Sequence, residues 1–241
     1  GDGVVDHYTY AVAGDGCLME GISHEAISLA GHLGLAKLIV LFDDNHISID
    51  GATDLTVSDD QPTRFRASGW DVQSVDGHDA EAVAAAIEGA RASDKPSLIA
   101  CRTTIGYGAP TKEGTSATHG APLGAEEIAG ARQKLGWAHD PFAVPDDVLA
   151  AWRAAGARGA GPRGDWEARR ADLDADTGTC LEGALAGNLP DGWEAALDAH
   201  KRALADDKPA WATRRASQAA LDVLIAQVPQ MIGGSADLTG S

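Results

Sequence analysis

Basic residues are scarce in this chain. Its 241 residues include 19 Lys and Arg against 36 Asp and Glu, which gives a formal net charge of −17. Binding to a nucleic-acid backbone requires clustered Lys and Arg, and the sequence contains no such cluster. The composition therefore argues against nucleic acid as a partner, and a phosphorylated ligand would have to be met by local positive groups.

Long apolar runs and paired cysteines are also missing. No stretch approaches the ~20 consecutive apolar residues of a membrane-spanning helix, and no signal-peptide pattern is present. The three cysteines, Cys17, Cys101 and Cys180, are odd in number and widely spaced, which suits neither a disulfide framework nor a zinc site. The sequence therefore predicts a cytoplasmic protein without membrane association and with reduced thiols, Cys17 being packed near its preceding turn.

Apolar strands and amphipathic helices alternate in the first half of the chain. The first two predicted strands are apolar enough to be buried. Asp79 is the predicted N-cap of the second long helix. Such alternation is typical of an α/β fold with a doubly wound parallel sheet, which binds ligands at the carboxyl ends of its strands. The predicted strands cover residues 8–13, 38–42, 70–75 and 97–102, and the predicted helices cover 20–33 and 79–93.

Two oxygen-bearing residues follow the first two predicted strands. Asp15 lies between Gly14 and Gly16, and 28 residues separate Gly16 from Asn45. A right-handed crossover would place both strand ends on one side of the sheet. Mg²⁺ and Ca²⁺ prefer oxygen ligands, so Asp15, Asn45 and the carbonyl of Ile47 are candidate metal ligands. The glycines would let the backbone turn sharply and approach a diphosphate, although a GDG tripeptide alone could be an ordinary turn.

These motifs resemble those of one enzyme family. Residues 14–26 (GDGCLMEGISHEA) and 43–51 (DDNHISIDG) resemble the thiamine diphosphate motif as it occurs in transketolases. Residues 118–124 (THGAPLG) resemble the family's histidine loop, and residues 233–241 (GGSADLTGS) resemble the start of its pyrimidine-binding domain. The resemblance runs over the whole chain. It implies a thiamine diphosphate-binding fold in which the GDG and Asn residues hold the cofactor.

The resemblance also implies a domain organisation. Residues 1–144 would form part of the pyrophosphate-binding domain, residues 145–212 a helical linker, and residues 213–241 the start of the pyrimidine-binding domain, with a strand at 230–232. The chain opens without an initiator Met and stops soon after that strand, so we interpret it as an internal fragment of a larger enzyme. We expect the fragment to be inactive, because the family's catalytic glutamate and upstream histidines would lie outside it.

Several further residues match positions with roles in transketolases. His119 could hydrogen-bond the diphosphate or transfer a proton at the reacting carbon, the alternative being a surface histidine. Glu20 matches a glutamate at the subunit contact near the cofactor, although it could also cap the helix after it. Asp237 resembles a residue that faces the cofactor's ring. Arg214 and Ser241 resemble the sugar-phosphate pocket, although this arginine could simply solvate a helix start.

Two other histidines are not assigned to the site. His24 is interpreted as a packed or surface residue of a helix, and His78 as part of the turn that precedes the next helix.

The function implied by the resemblance is that of a transketolase. Such an enzyme reversibly transfers a two-carbon ketol unit from a ketose phosphate to an aldose phosphate, using thiamine diphosphate and Mg²⁺ or Ca²⁺. The family implies a homodimer with its active site at the subunit interface and a place in the pentose phosphate pathway. A dihydroxyacetone synthase-like enzyme is a close alternative, and a truncated, non-catalytic binding module is another.

Overall fold

The computed structural model describes residues 3–234, and the chain divides into two compact units, Gly1–Gly156 and Ala157–Ser241. The first unit holds all six strands of the described residues. They are β1 (Thr9–Gly14), β2 (Leu38–Asp44), β3 (Ile47–Ser48), β4 (Gly51–Ala52), β5 (Asp71–Asp76) and β6 (Ser97–Arg102).

Four of these strands form one parallel sheet in the order β1-β2-β6-β5. The register aligns their carboxyl ends. Gly14 pairs with Asp43, while Arg102 pairs with Asp44 on one side and with Asp76 on the other. The polar residues that follow each strand are therefore gathered along one edge of the sheet, as the crossover rule requires. The short strands β3 and β4 form a separate antiparallel hairpin directly after β2.

The helices of the first unit lie close to the positions predicted from periodicity. Asp79 caps its helix as predicted, because its side chain accepts hydrogen bonds from the backbone N–H groups of Glu81 and Ala82, each at 3.0 Å. In place of the single predicted helix 20–33, the structure has two helices, which begin at Asp15 and are separated at Glu20. The helices are α1 (Asp15–Met19), α2 (Gly21–Leu33), α3 (Gln61–Ala67), α4 (Ala80–Ala92), α5 (Ala125–Lys134) and α6 (Asp146–Ala157).

Buried side chains cover both faces of the sheet, which confirms the doubly wound α/β class. On one face, Val40 and Phe42 of β2 pack with residues of α2 and α3, including Phe65. On the other face, Ile39 of β2 and Ile99 of β6 pack against α4. Successive residues of a strand point to opposite faces, so an unbroken apolar run is what a sheet covered on both sides needs.

The prediction that β1 is buried was wrong. In the described chain β1 pairs with β2 on one side only, and Val12 in its middle is 78% exposed. Cys17 was also wrongly expected to be packed: all three cysteines are free thiols, with Cys17 and Cys180 exposed and Cys101 buried. An apolar sequence marks a strand, but its burial depends on what lies beside it.

The second unit is helical. Its helices are α7 (Ala160–Ala171), α8 (Ala175–Ala186), α9 (Trp193–Asp207) and α10 (Thr213–Gln227), and α9 packs against α10. The predicted strand at 230–232 is not formed, since these residues lie in irregular backbone and the described part of the chain offers no neighbouring strand to pair with them. Between residues 3 and 234, no helix is long and apolar enough to cross a membrane.

Candidate functional site

The structure brings Asp15 and Asn45 into direct contact at the carboxyl edge of the sheet. Asp15 is the first residue of α1, directly after β1, and Asn45 directly follows β2. One oxygen of Asp15, Oδ2, accepts hydrogen bonds from the backbone N–H groups of Asn45 at 3.3 Å and His46 at 3.1 Å. The other oxygen of Asp15 makes no hydrogen bond within residues 3–234 and is available to a cation.

The side chain of Asn45 is held from both ends. Its Nδ2 donates to Asp43 Oδ2 at 3.3 Å, and its Oδ1 accepts from the backbone N–H of Ile47 at 2.9 Å. His46, between these residues, adopts a left-handed backbone with φ of 60°, and its carbonyl accepts from Thr53 N at 3.0 Å. Residues other than glycine adopt this backbone conformation rarely, so the surrounding hydrogen bonds must stabilise it. Two of the three predicted metal ligands, Asn45 and Ile47, therefore lie in one tight turn, and the third, Asp15, accepts hydrogen bonds from the backbone of that turn.

Negative charge is concentrated at this edge. Partial burial raises the pKa of Asp15, hydrogen bonds from the backbone of Asn45 lower it, and the neighbouring carboxylate of Asp44 raises it further. Asp44 Oδ1 lies 2.9 Å from His46 Nε2 and 3.4 Å from Arg102 Nη1. A bound cation would neutralise the carboxylates, and a diphosphate would need that cation before it could approach them.

A cavity of about 420 Å³ opens beside Asp15. Its walls are rich in carboxylates, and it continues over the segment between the β3–β4 hairpin and α3. The predicted ligands Asn45 and Ile47 are not part of its lining. The lining residues are Asp15, Met19, Phe42, Asp44, His46, Thr53, Asp54, Val57, Ser58, Asp59, Asp60, Gln61 and Pro62.

The chemistry of the predicted donors fits a hard divalent cation. One carboxylate, one amide oxygen and one backbone carbonyl are oxygen ligands that leave coordination positions for phosphate oxygens. Within residues 3–234 no group of three or more His, Cys, Asp or Glu is placed to hold a metal ion. The predicted set differs from such groups because Asp15 alone belongs to those residue types.

The backbone around Asp15 also leaves room for a ligand. A Cβ atom added to Gly14 or to Gly16 would meet no other atom within 4 Å. The sharp glycine turn expected here is not formed, because Gly14 is extended, with φ of −93° and ψ of 179°, and Gly16 lies within α1. The contribution of these glycines is therefore open space at the strand end rather than an unusual backbone angle.

Glu20 and His119 are both exposed to solvent. Glu20 lies between α1 and α2, and its side chain makes no capping hydrogen bond with α2, so the simple capping role is not what the structure shows. His119 follows a single 3₁₀ turn, Ser116–Thr118, and its backbone N–H donates to Ser116 O at 3.0 Å. The structure shows no hydrogen bond between either side chain and the Asp15–Asn45 pair.

The segment that carries His119, residues 103–119, is fixed at its start and in its middle. At its start, the hydroxyl of Thr103 donates to Asp43, the carboxylate that also holds Asn45. In its middle, Thr111 donates to Glu127 of α5, from its backbone N–H at 3.1 Å and from its hydroxyl. These hydrogen bonds, the hydroxyl bond first, lower the pKa of Glu127. The segment is thus attached to the sheet edge on one side and to α5 on the other.

The predicted phosphate-binding residues lie apart from this edge in the sequence. Arg214 is exposed in the first turn of α10, in the second unit. Its neighbour Arg215 lies over the ring of Trp211, at 5.5 Å from the ring centroid. The predicted residues Asp237 and Ser241 lie outside the described residues.

Sequence reasoning missed three residues that shape the site. Asp43 orients Asn45, while Asp44 and His46 pair with each other beside Asp15. The two carboxylates that precede Asn45 at the end of a predicted strand were a usable signal. The left-handed backbone of His46 gave none, because histidine does not require that conformation.

Comparison with known proteins gives one consistent result. The family model described as "Transketolase, thiamine diphosphate binding domain" matches residues 1–190. The chain is 55% identical to a transketolase of Cereibacter sphaeroides, covering 100% of this chain and 36% of that protein. It is 54% identical to a transketolase of Sinorhizobium medicae, of which it covers 34%.

Solved structures agree with the sequence relatives. Transketolase from Leishmania mexicana superposes with a TM-score of 0.83 at 41% identity, over 98% of this chain and 35% of that one. A variant transketolase from Pichia stipitis in complex with fructose-6-phosphate gives 0.82 at 40% identity, over 98% and 35%. The chain therefore spans about a third of the length of the relatives that it matches.

Proposed function

Because the chain belongs to the transketolase family and matches its thiamine diphosphate binding domain, we propose that it supplies the metal–diphosphate site of a transketolase. The reaction is the reversible transfer of a two-carbon ketol unit from a ketose phosphate to an aldose phosphate. The contact between Asp15 and the backbone of Asn45 carries this proposal, because it places the paired oxygen donors of the motif at one sheet edge.

Each donor of this site has a distinct role in the proposal. The free oxygen of Asp15, the amide oxygen of Asn45 and the carbonyl of Ile47 hold Mg²⁺ or Ca²⁺. Gly14 and Gly16 leave the space in which the diphosphate of the cofactor lies. Thiamine diphosphate, when bound, supplies the electron sink for carbon–carbon bond cleavage. The protein residues named here anchor and orient it, which is a positioning contribution.

The remaining assignments rest on the resemblance to the family. His119 hydrogen-bonds the diphosphate or moves a proton near the reacting end of the cofactor, and its exposure leaves the ring free to do so. Glu20 lies at the contact of a homodimer, and Asp237 faces the ring of the cofactor. Arg214 and Ser241 bind the phosphate of the sugar. The division into residues 1–144, 145–212 and 213–241 belongs to the same proposal.

Cofactor binding is the direct test of this site. We expect thiamine diphosphate together with Mg²⁺ to raise the melting temperature of the chain, since a ligand at 100 times its Kd stabilises the folded state by about 2.7 kcal/mol. The variant Asp15→Ala loses a metal ligand and should lose the shift. Differential scanning fluorimetry, with NaCl matched to the ionic strength of the Mg²⁺ samples, measures it.

The matched control is Asp94→Ala, which removes an exposed carboxylate away from the site. This variant should keep the whole shift. A wild-type chain that shows no shift at millimolar cofactor and metal, or an equal shift in Asp15→Ala, would refute the proposed metal–diphosphate site.

A further inference from the structure

His78 contacts the start of the segment that carries His119. It lies in the turn between β5 and α4, where its backbone N–H donates to Asp76 Oδ1 at 2.9 Å. Its ring Nε2 accepts a hydrogen bond from the backbone N–H of Thr104 at 2.9 Å. This bond joins residues 26 positions apart in the sequence, and it ties the turn after one strand to the residues that follow the neighbouring strand.

The donor in this bond fixes the state of the ring. A backbone N–H can only donate, so Nε2 of His78 must present a lone pair to Thr104. The neutral ring then carries its proton on Nδ1. A ring protonated on Nε2, in either the other tautomer or the cation, would set two hydrogen-bond donors against each other. The contact therefore selects one tautomer of His78.

The same ring holds a second point of the segment. The ring of Tyr107 stacks on His78 with centroids 4.1 Å apart and planes inclined by 27°. Nζ of Lys134 lies 5.3 Å from the centroid of the Tyr107 ring. The same Nζ forms an ion pair with Glu113 Oε2 at 2.5 Å. Tyr107 thus contacts both His78, beside the sheet edge, and Lys134 of α5.

The turn that carries His78 is itself packed closely against the segment. The backbone N–H of Gly77 donates to Arg102 O at 2.8 Å. A Cβ atom at Gly77 would lie 2.5 Å from Cγ2 of Thr103 and 3.0 Å from Arg102 O. Glycine is therefore needed here for close approach, and it lets the next residue reach Thr104.

We propose that His78 is a positioning residue that holds residues 103–119 against the carboxyl edge of the sheet, so that His119 is presented to the diphosphate-binding edge. The inference rests on the proposed function, because the presentation of His119 matters only if the cofactor binds there. His78 itself does not touch the reacting atoms. It acts on the segment through one hydrogen bond and one ring stack.

Three variants separate these two contacts. His78→Phe keeps a ring for Tyr107 and loses the acceptor, His78→Gln keeps an acceptor and loses the ring, and His78→Ala loses both. Hydrogen exchange followed by mass spectrometry reports the order of the segment. We expect about tenfold faster exchange at residues 104–119 in His78→Ala, the size expected from losing one net hydrogen bond, and smaller increases in the other two variants.

Exchange within α4 and β2 should stay unchanged, which distinguishes a released segment from a loosened fold. His32→Ala, an exposed histidine in the last turn of α2, is the matched control and should leave residues 104–119 as in the wild type. The proposal would be overturned if residues 104–119 exchanged at the wild-type rate in all three His78 variants. A wild-type ¹⁵N spectrum showing His78 protonated on Nε2 would overturn it as well.

Titration with thiamine diphosphate and Mg²⁺ separates this inference from the function on which it rests. If the wild-type chain binds cofactor, His78→Ala should weaken that binding several-fold and His78→Gln should restore part of it. Faster exchange with unchanged cofactor affinity would refute the presentation of His119. If the wild-type chain does not bind cofactor, the proposed function fails, and the exchange data alone still decide whether His78 holds the segment.

Discussion

The environment of Asp15 both favours and disfavours the ionised form of its side chain. Burial and the nearby Asp44 raise its pKa, while the backbone N–H groups of Asn45 and His46 stabilise the carboxylate. Because the pKa in the folded chain lies above the unfolded value, ionisation of this group costs stability. That cost is relieved only when the pH falls through the folded pKa. At neutral pH the ionised residue therefore costs stability, which is consistent with the binding role proposed for it.

We predict that Asp15→Asn raises the melting temperature of the ligand-free chain at pH 7 by a small amount. The amide oxygen still accepts from Asn45 and His46, and the repulsion with Asp44 is removed. The same variant should lose the stabilisation by Mg²⁺ and thiamine diphosphate. Asp94→Asn is the control and should do neither. A ligand-free Asp15→Asn chain that melts well below the wild type would contradict the sign of this argument.

The pKa of Glu127 is shifted in the opposite direction from that of Asp15, because hydrogen bonds from Thr111 lower it. A lowered folded pKa contributes stability above the unfolded value, about 4.3 for glutamate, and that stability is lost as the pH falls through the folded pKa. We predict that Glu127→Gln lowers the melting temperature at pH 7 and that the difference from the wild type narrows towards about pH 3.

Thermal melts of both proteins across this pH range provide the measurement. Glu126→Gln changes the exposed neighbour in the same helical turn, and it should have little effect at either pH. A difference that widened as the pH fell would show that the carboxylate of Glu127 does not stabilise the fold.

At the scale of elements, α2 packs unusually closely on the segment between α3 and β5. A Cβ atom at Gly31 would lie 1.8 Å from the carbonyl oxygen of Ser68 and 3.3 Å from the ring of Trp70. The indole N–H of Trp70 donates to Ile27 O at 2.9 Å, which locks the same contact. The position of α1, and with it Asp15, depends on this packing because α1 leads directly into α2.

We predict that Gly31→Ala destabilises the fold by about 1–3 kcal/mol, because backbone must move to admit the methyl group. Urea unfolding followed by tryptophan fluorescence would measure the change. Gly21→Ala is the matched control, since it lies in the same helix and its added Cβ meets nothing within 4 Å. Equal stability of the two variants would mean that α2 can move away from Ser68 without cost.

Some elements could be predicted from local pattern, and others could not. Asp79 correctly predicted the start of α4, because an N-cap side chain bonds backbone N–H groups within three residues of itself. The break at Glu20 was missed. Residues 145–212 were predicted to be helical, but within them residues 175–186 were not assigned to a helix of their own, although they form α8. The sequence DTGTC within α8 has poor helix propensity, so periodicity gave little signal there.

For the whole molecule, the net charge of −17 is a source of self-repulsion. Salt screens such repulsion over distances of about 10 Å at 0.1 M. We predict that the melting temperature rises as NaCl is increased from about 20 to about 300 mM. A gain of about 1 kcal/mol would correspond to about 2–4 °C for a chain of this size. KCl should act equally, and a melting temperature that fell with salt would show that the surface ion pairs outweigh the repulsion.

The sequence by itself determined the family and the α/β class, and it predicted that Asp15 and Asn45 meet at one edge of the sheet. These follow from short-range patterns, since strand ends in a parallel sheet meet at one edge whatever surrounds them. The exposure of β1 and the absence of a strand at 230–232 could not be predicted from those patterns. Both depend on which strands lie alongside, and that is a property of the assembled sheet.

Only the tertiary structure decided how the site is held together. The left-handed turn at His46 and the contact of His78 with Thr104 could not be predicted from any local pattern. A histidine in a turn before a helix has an ordinary local explanation. Its role in fixing another segment emerges only when two strands end side by side, because the contact is made across the sheet edge and not along the chain.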